Sequence, residues 1–287
     1  MRTTKLAAPF GARIALETDA LLDSKEREAF RRAYAEHGLL VIRGEEIDEA
    51  RQIELLGLLG RVEPGEDGLP LRMEVTNQHE ETTAPEGELI FHSDYAYDPA
   101  PIPGISMYGA LVEGDVTPTL FASASTVLDR LPDRLVEALR GQRAAHACFL
   151  YRLDVPNERS IEPDLLIPRG EAGWGPAHYW MHHPAIFANG FGVETLFLCL
   201  QHTDRMLDLP RSASDEILEE VYAAMYAPEE VYAHEWEQGD LVVWDNLTVQ
   251  HARPEPREGA RTLRRYHLSE TELTADYLRV GREHGLL

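Results

Sequence analysis

Leu89-Ile90-Phe91-His92-Ser93-Asp94-Tyr95-Ala96-Tyr97 reads as one extended strand, and that reading decides the fold. In a strand, residues i and i+2 lie on the same face, so His92 and Asp94 present an imidazole and a carboxylate together. His251, far down the chain, can add a second imidazole. Two histidines and one carboxylate on one face suit a non-haem Fe(II): they hold one side of the metal and leave the opposite positions to small molecules. A His-x-Asp triplet is common, so the rest of the chain has to carry the case.

Working outward, the same texture recurs at 71–76, 105–111, 119–123, 185–189, 195–200, 231–236, 241–245 and 262–268. Short strands parted by Gly, Pro and Asp turns predict an antiparallel sandwich or barrel. Gln238-Gly239-Asp240 is expected to join 231–236 to 241–245 as a hairpin. The leading 1–17 reads as a strand pair broken at Pro9-Phe10-Gly11, and Leu39-Leu40-Val41-Ile42 as a buried strand between two glycines. Helices are expected where apolar residues recur at helical spacing. One opens on a capping box, with Asp23 as N-cap and Glu26 three residues on, buries Phe30, Ala33 and Tyr34, and stops at Gly38. A second covers 46–59 with a stripe of Ile53, Leu56 and Leu59. A third covers 125–140 with core leucines 128, 131, 135 and 139, and a fourth covers 213–226 with Ser212 or Ser214 as cap and Ile217, Val221 and Met225 inward. The expected architecture is mainly β with flanking helices, a double-stranded β-helix or jelly-roll core. It is read as one domain over residues 1–287. Residues 152–176, rich in Pro and Gly without periodicity, are either a lid over the site or a surface excursion.

Composition narrows the partners. A chain of 287 residues with 44% hydrophobic content can bury a large core. A formal charge of −23 argues against nucleic acid, because nothing would offset phosphate repulsion. Lys5 and Lys25 are the two lysines, and arginine supplies the other cations. Cys148 and Cys199 sit in apolar runs without metal-ligand spacing, which suggests buried reduced thiols. The N-terminus leads into no long apolar region, and no run approaches membrane-spanning length. The expectation is a soluble cytoplasmic protein acting on a small molecule, with a homo-oligomer left open.

The ordered set Phe91-His92-Ser93-Asp94, then Thr119-Leu120-Phe121, then Gly239-Asp240-Leu241-Val242-Val243-Trp244-Asp245-Asn246 with His251, then Arg261 and Arg265, resembles the taurine dioxygenase (TauD/TfdA) family. Those proteins are Fe(II)- and 2-oxoglutarate-dependent oxygenases. The likeness runs over roughly residues 8 to 270 and includes the intervals between motifs. It implies that His92, Asp94 and His251 ligate iron, that O2 is the oxidant, and that the products include succinate and CO2. Three protein ligands leave room for the C1 carboxylate and keto oxygen of 2-oxoglutarate and for dioxygen. The far carboxylate then calls for a cation, and arginine offers a planar fork that stays charged.

Arg261 and Arg265 stand four apart on a strand, so both face the same way and Arg264 faces the other. The resemblance makes Arg261 the 2-oxoglutarate clamp, with Thr119 adding a hydroxyl. Arg265 would meet a substrate acid group or the C1 carboxylate. Related halogenases lack the carboxylate ligand, so Asp94 points to hydroxylation, desaturation or oxidative cleavage. The chain departs from the pattern at Phe91, Ser93, Leu247 and Asp115-Val116-Thr117-Pro118, and the interval from His251 to the arginines is about one residue short. These departures leave open which arginine takes which carboxylate. The run from Asp245 to Arg265 also resembles members that tailor tyrosine-derived isonitriles. Asn77 and Arg265 are the substrate-contact candidates, followed by Tyr95 and Tyr97, with Tyr95 expected to turn away from the metal. His182-His183-Pro184 is expected to be structural, and His178, His202 and His234 ordinary. A jelly-roll binding module without chemistry, or a cupin-like zinc or manganese protein, are the competing classes.

Overall fold

Side-chain alternation along the strands builds the layers of this fold. The computed structural model describes residues 1–16, 22–44, 47–79, 82, 87–98, 101–147, 167–168, 179–188 and 193–271. The candidate lid at 152–176 lies outside them except for residues 167–168, and Cys148 and His178 lie outside them too.

The first strands are β1 (Arg2–Lys5), β2 (Ala12–Ala15), β3 (Leu39–Ile42), β4 (Gly60–Val62), β5 (Met73–Thr76) and β6 (Leu89–His92). The middle set is β7 (Gly104–Glu113), β8 (Thr119–Ser123), β9 (Arg143–Ala147), β10 (Ile167–Pro168), β11 (Tyr179–Pro184) and β12 (Ile186–Ala188). Last come β13 (Glu194–Leu196), β14 (Thr203–Met206), β15 (Val231–His234), β16 (Leu241–Asp245), β17 (Val249–Arg253) and β18 (Ala260–Thr271). The helices are α1 (Ser24–His37), α2 (Glu49–Gly57), α3 (Ala124–Leu128), α4 (Asp133–Leu139) and α5 (Arg211–Met225).

The larger sheet runs β1-β2-β3-β16-β7-β18-β4, with β5 on β18, and a smaller sheet runs β15-β8-β17-β6. Leu39 and Val41 of β3, Val242 and Trp244 of β16, and Leu263 of β18 pack with Phe121 and Val249 of the smaller sheet. The intervening residues Leu40, Ile42, Leu241, Val243, Tyr266 and Leu268 face outward onto α1 and α2. This period of two, with both faces covered, explains the unbroken apolar runs of β3 and β16. The jelly-roll expectation holds.

Several local expectations hold and several need correction. The capping box is present, with Asp23 accepting from the backbone of Lys25 and Glu26, and α1 ends on Gly38 at φ 67°. The region 125–140 is two helices, because Pro132 breaks the run, and all four leucines are buried. The helix expected at 46–59 is shorter, from Asp48 as N-cap to Gly57. The cap of α5 is Pro210 without a side-chain bond; Ser214 instead accepts from the Met206 N–H. The expected hairpin is absent: β15 pairs with β8 and β16 with β3 and β7, so residues 235–240 cross between sheets. Asp240, fully buried and bonded by Arg43, fastens that crossing.

Asp245, at the end of β16, carries a cost. It is almost fully buried, and burial pushes its carboxyl up to about 6, opposed by hydrogen bonds from Leu247 and Thr248. A folded-state pKa above the unfolded value means that this residue's stabilising contribution is complete below about pH 4 and is lost as pH rises through about 6. Asp245→Asn, which keeps an acceptor for Leu247, is therefore expected to raise stability by on the order of 2 kcal/mol near pH 8. The gain should vanish toward pH 4. Urea unfolding at successive pH values checks this; a pH-independent difference would show another cause.

Candidate metal centre

The site begins with a register. In β17 and β6, His251 lies directly opposite His92, and opposed residues of an antiparallel pair hold their side chains side by side. The two imidazoles accordingly sit with ring centroids 4.3 Å apart. One additional residue of β6 is taken up between this pair and Arg253 opposite Leu89.

Asp94 arrives differently from the expectation. Strand β6 ends at His92, and residues 94–97 form a turn. Tyr95 stands at φ 57°, which a non-glycine residue seldom adopts. The carboxylate still reaches the pair: Asp94 Oδ1 is 3.3 Å from His92 Nε2 and 4.0 Å from His251 Nε2. Among the described residues, these three form the group whose ligand atoms fall within 4.8 Å of one another.

Protonation suits a cation. His92 Nδ1–H donates to the Ile90 carbonyl at 2.8 Å, which leaves Nε2 with its lone pair toward Asp94. Burial, helped by Arg265 and Arg253, pulls His92 down to about 4, and burial together with His92 and His202 holds His251 well below its ordinary value. Two neutral imidazoles and one carboxylate form a donor set that fits a divalent ion of the iron group.

The arginines divide as the strand period requires. On β18, Arg264 turns to the helix side, where it donates to Gln52 and lies over the Tyr108 ring, 4.5 Å from its centroid. Arg265 faces inward and pairs directly with Asp94 Oδ2. Arg261, also inward and 7% exposed, donates to the Thr117 carbonyl. No carboxylate neutralises Arg261 among the described residues, and burial lowers it to about 10. A bulge lies between Thr262 and Leu263 in the pairing of β18 with β7, but the additional residue, Ala110, belongs to β7. Arg261 and Arg265 therefore keep the same parity. Thr119 is buried on β8, two residues before Phe121, and its hydroxyl accepts from Trp236 Nε1 at 3.0 Å. That bond leaves its proton free to donate.

Asn77 lies against the same strand, with its side chain exchanging bonds with the backbone of Arg261 and Gly259. Tyr95 is 46% exposed. Its ring lies 5.8 Å from Tyr97 and 6.5 Å from His267. His183 is buried with Nε2 at 3.0 Å from the Asp98 carbonyl, and His234 faces Asp240 at 3.0 Å. Cys199 is a buried free thiol.

Three residues escape a sequence reading. His202 is buried with its ring 6.0 Å from His92 and 4.9 Å from Tyr97. His267 faces inward two residues after Arg265, and its Nε2 is buried without a hydrogen-bond partner among the described residues. Asn246 bonds the Asp94 backbone at both N–H and C=O, each at 3.0 Å. The inward parity of β18 could have found His267; nothing local announces the other two contacts.

Comparison with known proteins places this geometry. The family described as "Taurine catabolism dioxygenase TauD, TfdA family" matches residues 2–267. Pentalenolactone F synthase of Streptomyces avermitilis is 32% identical over 174 residues, which are 57% of this chain and 55% of that protein. The match thus spans about half the length of that curated relative. The alpha-ketoglutarate-dependent 2,4-dichlorophenoxyacetate dioxygenase of Burkholderia sp. (strain RASC) is 28% identical over 263 residues, covering 80% of this chain and 84% of that one. Among solved structures, AAD-2 in complex with Mn(II) and N-oxalylglycine superposes with a TM-score of 0.74 at 19% identity, covering 95% of this chain and 98% of the other. That likeness establishes a shared fold.

Proposed function

We propose that this chain, which belongs to the taurine catabolism dioxygenase TauD, TfdA family, is an Fe(II)- and 2-oxoglutarate-dependent oxygenase of a small, acid-bearing molecule. The observation that carries the reading is the cross-strand pair His92 and His251 with Asp94 near both, together with a buried guanidinium, Arg261, on the same face of β18 as Arg265 and without a carboxylate partner among the described residues. An uncompensated buried cation is costly unless an anion arrives.

His92 Nε2, His251 Nε2 and an Asp94 oxygen would hold the iron. When bound, the iron and 2-oxoglutarate supply the oxidation of a substrate C–H bond by O2, with succinate and CO2 released. The remaining work falls to the chain. Arg261 offers its fork to the far carboxylate, and Thr119, its oxygen already engaged by Trp236, has a proton to add to the same group. The Ile90 carbonyl fixes the His92 tautomer. Arg265, in direct contact with Asp94, is placed to meet a second carboxylate near the metal. The apolar surround of Phe121 and Trp244 excludes water from His251, with ring centroids 6.5 and 5.0 Å away.

The relatives' names direct the test. One is a 2,4-dichlorophenoxyacetate dioxygenase and another a pentalenolactone F synthase, so the library should hold aryloxy acids, amino-acid-derived acids and lactone-bearing acids. Succinate release above the substrate-free rate with one of these classes supports the reading. No stimulation by any acid, in protein shown to bind Fe(II) and 2-oxoglutarate, would refute the acidic-substrate part. Failure to bind either would refute the oxygenase itself.

A further inference from the structure

We propose that Asn246 is a positioning residue for the metal centre: its side-chain amide holds the Asp94 turn, strained at Tyr95, so that the carboxylate stays on the face shared with His92 and His251. The inference rests on reading those three residues as a metal site.

Asn246 is fully buried in the short connection between β16 and β17. Its Oδ1 accepts the Asp94 N–H at 3.0 Å, and its Nδ2 donates to the Asp94 carbonyl at 3.0 Å and to the Ile102 carbonyl at 2.8 Å. Its own N–H donates to the Pro103 carbonyl at 3.1 Å. Every polar group of the amide is therefore spent on two backbone segments, and one of them is the peptide pair that carries the carboxylate ligand. The next residue, Leu247, packs beneath the same turn with Ala96, Phe187, Phe197 and Cys199. A polar clamp and an apolar floor thus act on residues 94–96 together.

The turn needs such a clamp. Tyr95 occupies the left-handed region at φ 57°, where a side chain with a Cβ is disfavoured, and it is half exposed, so packing does little to keep it there. Released from Asn246, residues 93–96 would relax toward ordinary backbone. Asp94 would then leave His92 and His251, because nothing in β6 extends beyond His92 to fix it. The bond to Arg265 holds one oxygen of the carboxylate and not the peptide groups of the turn.

The test reads metal affinity directly, with Co(II) as probe, under argon and without 2-oxoglutarate. Asn246→Ala is expected to weaken Co(II) binding by about 10–100-fold, the range for loss of an outer partner of a ligand. Asp94→Ala will weaken it more, and the double variant Asp94→Ala/Asn246→Ala is expected to match Asp94→Ala, because a residue acting through Asp94 has nothing left to position. Tyr95→Gly added to Asn246→Ala should recover affinity several-fold by removing the strain. Should the alanine variant fail to fold, Asn246→Ser serves, with a loss of about tenfold expected.

A folded Asn246 variant that binds Co(II) within about threefold of wild type overturns the proposal. So does a double variant weaker than Asp94→Ala by the full single effect, which would mark Asn246 as a general structural residue. Wild-type protein that binds no Co(II) would overturn the metal-site reading itself, a result separate from either.

Discussion

His92→Ala is expected to abolish the weak visible charge-transfer band that an anaerobic mixture of the protein, Fe(II) and 2-oxoglutarate should show, and with it succinate release. The Ile90 carbonyl sets the tautomer of His92, which sits opposite His251 in register. Losing a partner of a ligand costs about 10–100-fold in affinity, so losing the ligand itself should cost more. Iron binding should fall by at least that factor. His92 lies at the last position of β6, and its truncation leaves the Phe121, Trp244 and Val249 core in place, so unfolding temperature should change little. A variant that keeps the band would place the iron elsewhere.

Arg261→Ala produces the second large effect, of a different kind. Truncating one partner of a buried, hydrogen-bonded charge pair costs about 2–5 kcal/mol, so the Kd for 2-oxoglutarate should rise by roughly 30-fold to several-thousand-fold. Iron affinity should stay within a few-fold, because Arg261 is bonded to the Thr117 carbonyl and not to the triad. The ligand-free protein should be no less stable, since the change removes a buried cation that has no carboxylate partner among the described residues. Titration of the charge-transfer band with 2-oxoglutarate measures the first effect and thermal unfolding the second. Arg261→Lys separates charge from shape: the ammonium keeps the charge without the fork and should recover only part of the loss. Full 2-oxoglutarate affinity in Arg261→Ala would transfer the clamp to Arg265.

Much of this site was legible because it depends on strand parity. Arg261 and Arg265 against Arg264, the two faces of Leu39–Ile42, and the buried run at 241–245 all follow from a period of two that local sequence displays. Asp94 reaches the two imidazoles by a route that the sequence does not display. Strand alternation would place it beside His92, but the strand ends first, and the carboxylate returns through a turn whose unusual backbone no glycine announces. One of its backbone partners, Asn246, stands 152 residues away. The strand bearing His251, Val249–Arg253, carries no apolar run to mark it. Gln250 and His251 are polar, yet both are buried, since Gln250 bonds the Leu198 carbonyl and the Tyr226 hydroxyl. The missing hairpin has the same origin: a Gly-containing turn specifies a bend, and only distant pairing specifies which sheet each arm joins.

The unmatched Ala110 opposite the Thr262–Leu263 step gives length changes an asymmetric tolerance. Excising Ala110 would straighten its own strand and leave both inward guanidinium groups where they are. Excising Thr262, Leu263 or Arg264 would rotate one of those groups out to the helix side, where Gln52 bonds Arg264. Loss of residue 110 should therefore be survivable, and loss of a residue at 262–264 ruinous.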